Sequence, residues 1–270
     1  MMKILTFNIL FGMDGHRLST NIISHFCIHG AEMLLPKSIN HKVAARLSAR
    51  RSSHIQEVCE VIVSENPDIV CLNEVLRGLH EEALNECFKR LGYSTIAWGE
   101  AKNYEYPLQI STVIASKIKG ESIPFDLPIP KRMGGGGGGC AITIDDRKML
   151  IVGFHAPSIG KVNPRAQFSF LKNFLSQHKK YAIIVCGDMN KTKDELEVTA
   201  PFFFHDFGLV SSGDEPTCPY YYVPFLPPQR IDHILYDPKK MQLVSEKLIQ
   251  TFSDHKAIVS EFKLHPFHFS

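Results

Sequence analysis

Several absences narrow the reading of this 270-residue chain before any motif is considered. There is one tryptophan, Trp98, and no apolar stretch approaches the length of a membrane-spanning helix. The start, Met-Met-Lys-Ile-Leu-Thr-Phe-Asn, lacks a basic segment, a long apolar segment and a small-residue cleavage site. The expectation is therefore a soluble protein of the cytoplasm, with the nucleus open if the source is eukaryotic, and no membrane partner. The seven cysteines are odd in number and irregular in spacing, with no Cys-x-x-Cys pair. That argues against a disulfide framework or a zinc ribbon and for reduced, buried thiols. Net charge is only +2, so no global field draws the chain to nucleic acid or an anionic membrane, although a local basic face remains open. There is no repeat of fixed period. The six-glycine run Gly134–Gly139 is followed by Cys140-Ala141, so it is not a phosphate-cradling Gly-x-x-x-x-Gly-Lys-[Ser/Thr] loop. Its composition predicts a flexible loop tip between strands.

What is present is an ordinary globular balance, 44% hydrophobic and 21% charged, able to supply a core. Short apolar runs recur over 3–8, 69–72, 93–98, 109–116, 121–125, 182–186, 231–236 and 257–262, and 141–144 with 149–155 resemble a hairpin. Helical periodicity appears over 41–65, where Ile55, Val58, Cys59 and Ile62 share a face, and over 79–91 and 165–177. Asn66-Pro67 ends the first helix, because the residue before proline disfavours helical geometry. Residues 10–40 read as a long irregular excursion. Strands outnumber helices and many are joined by short turns, which favours antiparallel or mixed sheets with helices outside. No linker separates the polar clusters, so residues 1–270 are read as one domain.

The chemistry-bearing residues stand where apolar runs end: Asn8, Glu74, His155, Asp188, Asn190, Asp232, Asp254 and His255. Taken singly, each has an ordinary explanation. Asn8 suits a strand end, Glu74 a solvated turn, Asp188 with Asn190 an Asx turn, and Asp232 beside Arg230 a surface ion pair. Taken together, they offer six oxygen donors and two imidazoles, a set that suits Mg2+ or Mn2+ better than zinc. A histidine beside a buried carboxylate has its tautomer fixed and can act as a base or hold a phosphoryl oxygen.

Five segments resemble the endonuclease/exonuclease/phosphatase superfamily, the DNase-I-like fold, in that family's order. They are Thr6-Phe7-Asn8-Ile9, Leu72-Asn73-Glu74-Val75, Gly153-Phe154-His155-Ala156-Pro157, Gly187-Asp188-Met189-Asn190, and Arg230-Ile231-Asp232-His233 paired with Ser253-Asp254-His255. The resemblance implies a four-layer α/β/β/α sandwich of two mainly antiparallel or mixed sheets, and in-line attack of water on phosphorus. It implies Glu74 as principal metal ligand with Asn8 beside it, and Asp254 on the metal side. Asp188 would position or deprotonate the water, and Asn190 would hold a phosphate oxygen. His255 would contact the scissile phosphate, oriented by Asp232, with His155 assisting. Asn73 stands where the family usually has glutamine. The chain lacks the Trp-x-Gly-Asp-x-Asn and Cys-Asp-Arg-Ile patterns of the inositol-polyphosphate phosphatases and the Trp-rich segment of abasic-site endonucleases.

The substrate is less legible. Lys42, Arg46 and Arg50 share a helix face, with Arg51 adjacent; Tyr220, Tyr221, Tyr222 and Phe225 precede the Arg230 segment; Lys161, Asn163 and Arg165 follow His155. Arg165, Tyr221 and Arg230 are the candidate substrate contacts. The expected activity is a metal-dependent phosphodiesterase acting on nucleic acid, as an endonuclease, an exonuclease or a DNA-end-processing enzyme. The alternatives are a sphingomyelinase-like lipid or small-molecule phosphoesterase and an inactive binding module. No obligate protein partner is indicated, and a monomer is the expectation.

Overall fold

The computed structural model describes residues 1–9, 54–99, 110–128, 138–156, 164–218 and 227–265. The excursion at 10–40, the helix face carrying Lys42 and Arg46 to Arg51, the Tyr220–Phe225 aromatics and Lys161 with Asn163 lie outside them.

The apolar runs become β1 (Met2–Asn8), β2 (Ile69–Leu76), β3 (Thr95–Trp98), β4 (Ile110–Ser116), β5 (Glu121–Ile123), β6 (Gly138–Ile144), β7 (Met149–His155), β8 (Ala182–Asp188), β9 (Val210–Ser211), β10 (Asp232–Tyr236), β11 (Met241–Ile249) and β12 (Ala257–Leu264). Five α-helices are described: α1 (Ile55–Glu65), α2 (Arg77–Arg90), α3 (Pro164–Gln177), α4 (Lys193–Thr199) and α5 (Phe202–His205). The strands form two six-stranded sheets, ordered β11-β12-β1-β2-β4-β3 and β5-β6-β7-β8-β10-β9. Each sheet has one parallel pair, β1 with β2 and β7 with β8, and its other pairs are antiparallel.

Three apolar clusters stack through the molecule. Ile4, Cys71 and Ile114 of the first sheet meet Ile142, Ile151 and Ile184 of the second between the sheets. The outer face of the second sheet packs on α3 through Phe168, Leu171 and Leu175. The outer face of the first sheet packs on α1 and α2 through Val58, Ile62, Leu84 and Phe88. The alternation of inward and outward residues along the strands thus builds four layers, as expected from the sequence. Among the described residues, no helix is long and apolar enough to cross a membrane.

Local details follow from residue chemistry. Asn66 ends α1 in the left-handed conformation (φ 48°), and its N–H donates to the Ile62 carbonyl at 2.9 Å. Helix α4 starts on a reciprocal capping box between Thr192 and Glu195. At the start of α2, the Leu76 N–H donates to buried His80 Nδ1 at 3.2 Å, and burial lowers the His80 pKa to about 4. The unfolded chain takes up that proton near pH 6.5, so this contribution is fully present above about pH 6.5 and is lost as pH falls through about 4. The acid-side slope of melting temperature against pH is expected to be steeper for wild type than for His80→Gln. Equal slopes would contradict the assignment.

The glycine run differs from expectation at its end. Gly138 and Gly139 are buried residues of β6, paired with His155 and Phe154 of β7, rather than loop-tip residues. A Cβ on Gly139 would lie 2.5 Å from the Phe125 ring and 2.8 Å from the Gly153 carbonyl. Packing and strand pairing there override glycine's preference for loops. Gly139→Ala is expected to cost about 1–3 kcal/mol through overpacking, read from denaturant unfolding. An unchanged midpoint would contradict this packing.

Candidate active site

The topology gathers the polar strand ends at one end of the sandwich. Because β1 and β2 are parallel, Asn8 and Asn73 are register partners and Glu74 follows directly. His155 and Asp188 end the parallel pair β7 and β8. Strand β10 is antiparallel to β8 and begins at Asp232, opposite Asp188. Strand β12 is antiparallel to β1 and begins just after Asp254-His255. Carboxyl ends of parallel strands are a recurrent place for ligand sites in sheets.

Glu74 is aimed by a β-bulge. Across β2 and β4, Leu72 pairs with Val113 and Val75 with Ser111, so Asn73 and Glu74 stand together opposite Thr112. Glu74 has φ 55°, a left-handed conformation uncommon for a non-glycine residue and often found at functional sites.

The cluster is buried and crowded. His155 Nε2 lies 3.6 Å from both Glu74 Oε1 and Asp188 Oδ2. Burial, then nearby His255, lowers the His155 pKa to about 3, so these are close contacts of a neutral imidazole rather than ion pairs. Asn8 Nδ2 donates to Asp188 Oδ2 at 2.9 Å. Asp188 Oδ1 accepts the Asn190 N–H at 2.7 Å, and Asn190 Nδ2 donates to the Ala156 carbonyl at 2.8 Å. Burial raises the carboxyl pKa of Glu74 to about 8, with Asp254 adding to it, and that of Asp188 to about 7, with Asp232 adding to it. Burial raises Asp254 as well.

Asp232 and His255 behave oppositely. Their Oδ2···Nδ1 separation is 2.7 Å. Burial works against both charges, yet each partner stabilises the other, holding Asp232 below and His255 well above its ordinary pKa. His255 Nε2 then faces Asp188 Oδ2 at 3.9 Å and Asp254 Oδ1 at 4.0 Å.

The donor set fits a divalent cation. Glu74, His155 and Asp188 form one group with its candidate ligand atoms within 4.8 Å of one another; Asp188, Asp232 and His255 are as close, but His255, held charged by Asp232, is not a ligand. Glu74 Oε2 is buried with no hydrogen-bond partner among the described residues. Carboxylates crowded this closely, with one oxygen left unpartnered, are what a hard cation would neutralise.

The sequence profile described as Endonuclease/Exonuclease/phosphatase family matches residues 5–255. The chain belongs to that family. Family members are generally divalent-metal-dependent, in keeping with the donor set described above. No curated protein matches the chain by sequence. Among solved structures, an AP endonuclease from Archaeoglobus fulgidus superposes with TM-score 0.62 at 17% identity, over 98% of this chain and 100% of that one. D. rerio TDP2 complexed with single-strand DNA product gives TM-score 0.61 at 15% identity, over 97% and 98% of the two chains. ANGEL2, a 2',3'-cyclic phosphatase bound to adenosine-2',3'-vanadate, gives 0.65 at 13% identity, over 97% and 95%. At these identities the likeness establishes the shared fold.

Of the residues singled out in the sequence, Asn8, Glu74, His155, Asp188, Asn190, Asp232, Asp254 and His255 are brought together in this family member. Arg230 is engaged elsewhere. Its buried guanidinium forms a fork on Glu246, at 2.8 and 3.0 Å, and reaches Ser212 Oγ and the Glu215 carbonyl, both at 3.3 Å. This satisfies the charge within the protein and leaves Arg230 a structural ion pair. Arg165 is exposed on α3. Tyr221 lies outside the described residues.

Two supporting residues had no assigned role in the sequence. Thr217 Oγ1 accepts the N–H groups of Ile231 and Asp232, both at 3.2 Å, and its hydroxyl also bonds the Asp232 carboxylate. Nothing local to Thr217 marks it. Ser253 Oγ donates to the Asn8 carbonyl at 2.8 Å and accepts the His255 N–H at 3.1 Å, tying the last motif to the first. Its place beside Asp254-His255 was the available signal.

Proposed function

We propose that the protein is a divalent-metal-dependent phosphodiesterase acting on nucleic acid by in-line attack of water, as an endonuclease, exonuclease or DNA-end-processing enzyme. The observation that carries this reading is the convergence of carboxylates and imidazoles from five strand ends, with one Glu74 oxygen buried and unpartnered. The neighbours add support, since their names give an AP endonuclease, a complex with single-strand DNA product, and a 2',3'-cyclic phosphatase bound to adenosine-2',3'-vanadate.

In this reading Glu74, with Asn8 and Asp254, holds Mg2+ or Mn2+. When bound, the cation polarises a phosphoryl oxygen and offsets charge on the leaving oxygen. Asp188 accepts a proton from the attacking water. The Asn190 N–H already fixes the Asp188 carboxylate, and the Asn190 amide faces a phosphate oxygen. His255, charged against Asp232, donates to the scissile phosphate, where negative charge grows in the transition state. Neutral His155 donates a hydrogen bond to the phosphate from beside Glu74 and Asp188.

The test is a substrate panel with Mg2+: single- and double-stranded DNA, RNA, 5'-tyrosyl DNA, sphingomyelin and an inositol phosphate. Cleavage of one or more nucleic acids, with the lipid and inositol substrates untouched, is expected. Turnover confined to sphingomyelin or inositol phosphate would replace the nucleic-acid assignment.

A further inference from the structure

Asn73 lies between the two halves of the candidate site. Its Oδ1 accepts the Asp188 N–H at 3.0 Å. Its Nδ2 donates to Thr112 Oγ1 at 3.0 Å and to the Phe154 carbonyl at 3.4 Å. The Thr112 hydroxyl passes the chain on to the Gly138 carbonyl at 3.1 Å. Asn73 and Thr112 are fully buried. One polar relay therefore joins β2 and β4 of the first sheet to β8, β7 and β6 of the second.

Two further observations locate its purpose. Thr112 is the residue opposite the bulge that turns Glu74 toward the site. Gly187, just before Asp188, has φ 132°, and a Cβ there would lie 2.1 Å from the Phe154 carbonyl and 2.7 Å from Asn73 Oδ1. Strand β8 reaches this position because Gly187 has no side chain. The Asn73 carboxamide occupies space that a side chain at position 187 would need.

We propose that Asn73 and Thr112 are positioning residues that set the separation of Glu74 and Asp188 across the two sheets, and with it the affinity of the site for its cation. The assignment rests on the metal-dependent reading above. One end of the relay fixes the bulge bearing Glu74, and the other fixes the backbone of Asp188. Supporting shells of this kind orient ligands they do not replace, and their loss typically lowers metal affinity or activity about 10–100-fold.

The test compares wild type, Thr112→Val, Thr112→Ser and Asn73→Ala. Mn2+ binding to the chelator-treated full chain is followed by electron paramagnetic resonance, alongside kcat and KM on the best substrate of the panel. Thr112→Val keeps shape and removes the hydroxyl, so it stays informative if Asn73→Ala does not fold. Folded Thr112→Val is expected to bind Mn2+ about tenfold or more weakly and to lose about 10–100-fold in kcat with little change in KM. Thr112→Ser, which restores the hydroxyl, should recover both. Wild-type Mn2+ affinity and kcat in Thr112→Val would overturn the positioning assignment, as would a Thr112→Ser protein as impaired as the valine variant. A wild-type protein that binds no Mn2+ would instead overturn the metal-dependent reading on which it rests.

Discussion

Glu74→Gln is expected to lose about 10^3-fold or more in kcat while the metal-free protein melts no lower than wild type. The loss follows from the place of Glu74 in the cluster. A carboxylate that holds a cation against developing phosphoryl charge supplies several kcal/mol of transition-state stabilisation, and about 1.36 kcal/mol is a factor of ten in rate. The retained stability follows from its burial. The buried carboxyl, near Asp254 and Asp188, has its pKa raised to about 8, so its charged form is disfavoured without a cation. An isosteric neutral amide removes that repulsion. Turnover and thermal melting in chelator check the two halves separately. A variant that turns over near the wild-type rate would contradict the ligand assignment, and one inactive because it unfolds would contradict the electrostatic account.

The second large effect concerns His255 and Asp232. His255→Ala is expected to lose about 10^2–10^3-fold in kcat, because the charged donor facing the phosphate is gone. It should also lose about 3–5 kcal/mol of stability, since Asp232 is left buried without its imidazolium. Asp232→Asn should weaken turnover through loss of the orienting, charge-stabilising partner. The double variant separates the roles. Removing both charges relieves the unpaired carboxylate, so stability should recover relative to His255→Ala while turnover stays low. Equal and additive stability losses in the cycle would contradict a coupled buried pair.

Much of this arrangement was legible in the chain, for reasons specific to its residues. Asn8, Glu74, His155, Asp188, Asp232 and Asp254 with His255 stand out because each interrupts or borders a short apolar strand, where a polar side chain is conspicuous. Antiparallel or mixed sheets with outer helices were legible in the many short strands joined by turns, and the stack of two sheets in the resemblance carried by the five motifs. Other features depend on partners distant in the chain. The bulge that turns Glu74 is set by the register of β4, and the Asn73 relay needs β6, β7 and β8 in place. Arg230 beside Asp232 looked available to substrate, yet its fork is closed by Glu246 on β11 of the other sheet. Gly138 and Gly139 have a composition that argues for a loop, and their strand identity comes from pairing with β7 and packing against Phe125.

We propose that these strand ends form a cation-dependent phosphodiesterase site. Its most direct test is add-back of metal to the full chain stripped with EDTA, assayed on labelled oligonucleotides. No cleavage is expected in chelator, with recovery on adding Mg2+ or Mn2+ and no recovery in Glu74→Gln. Full cleavage in excess EDTA would contradict it.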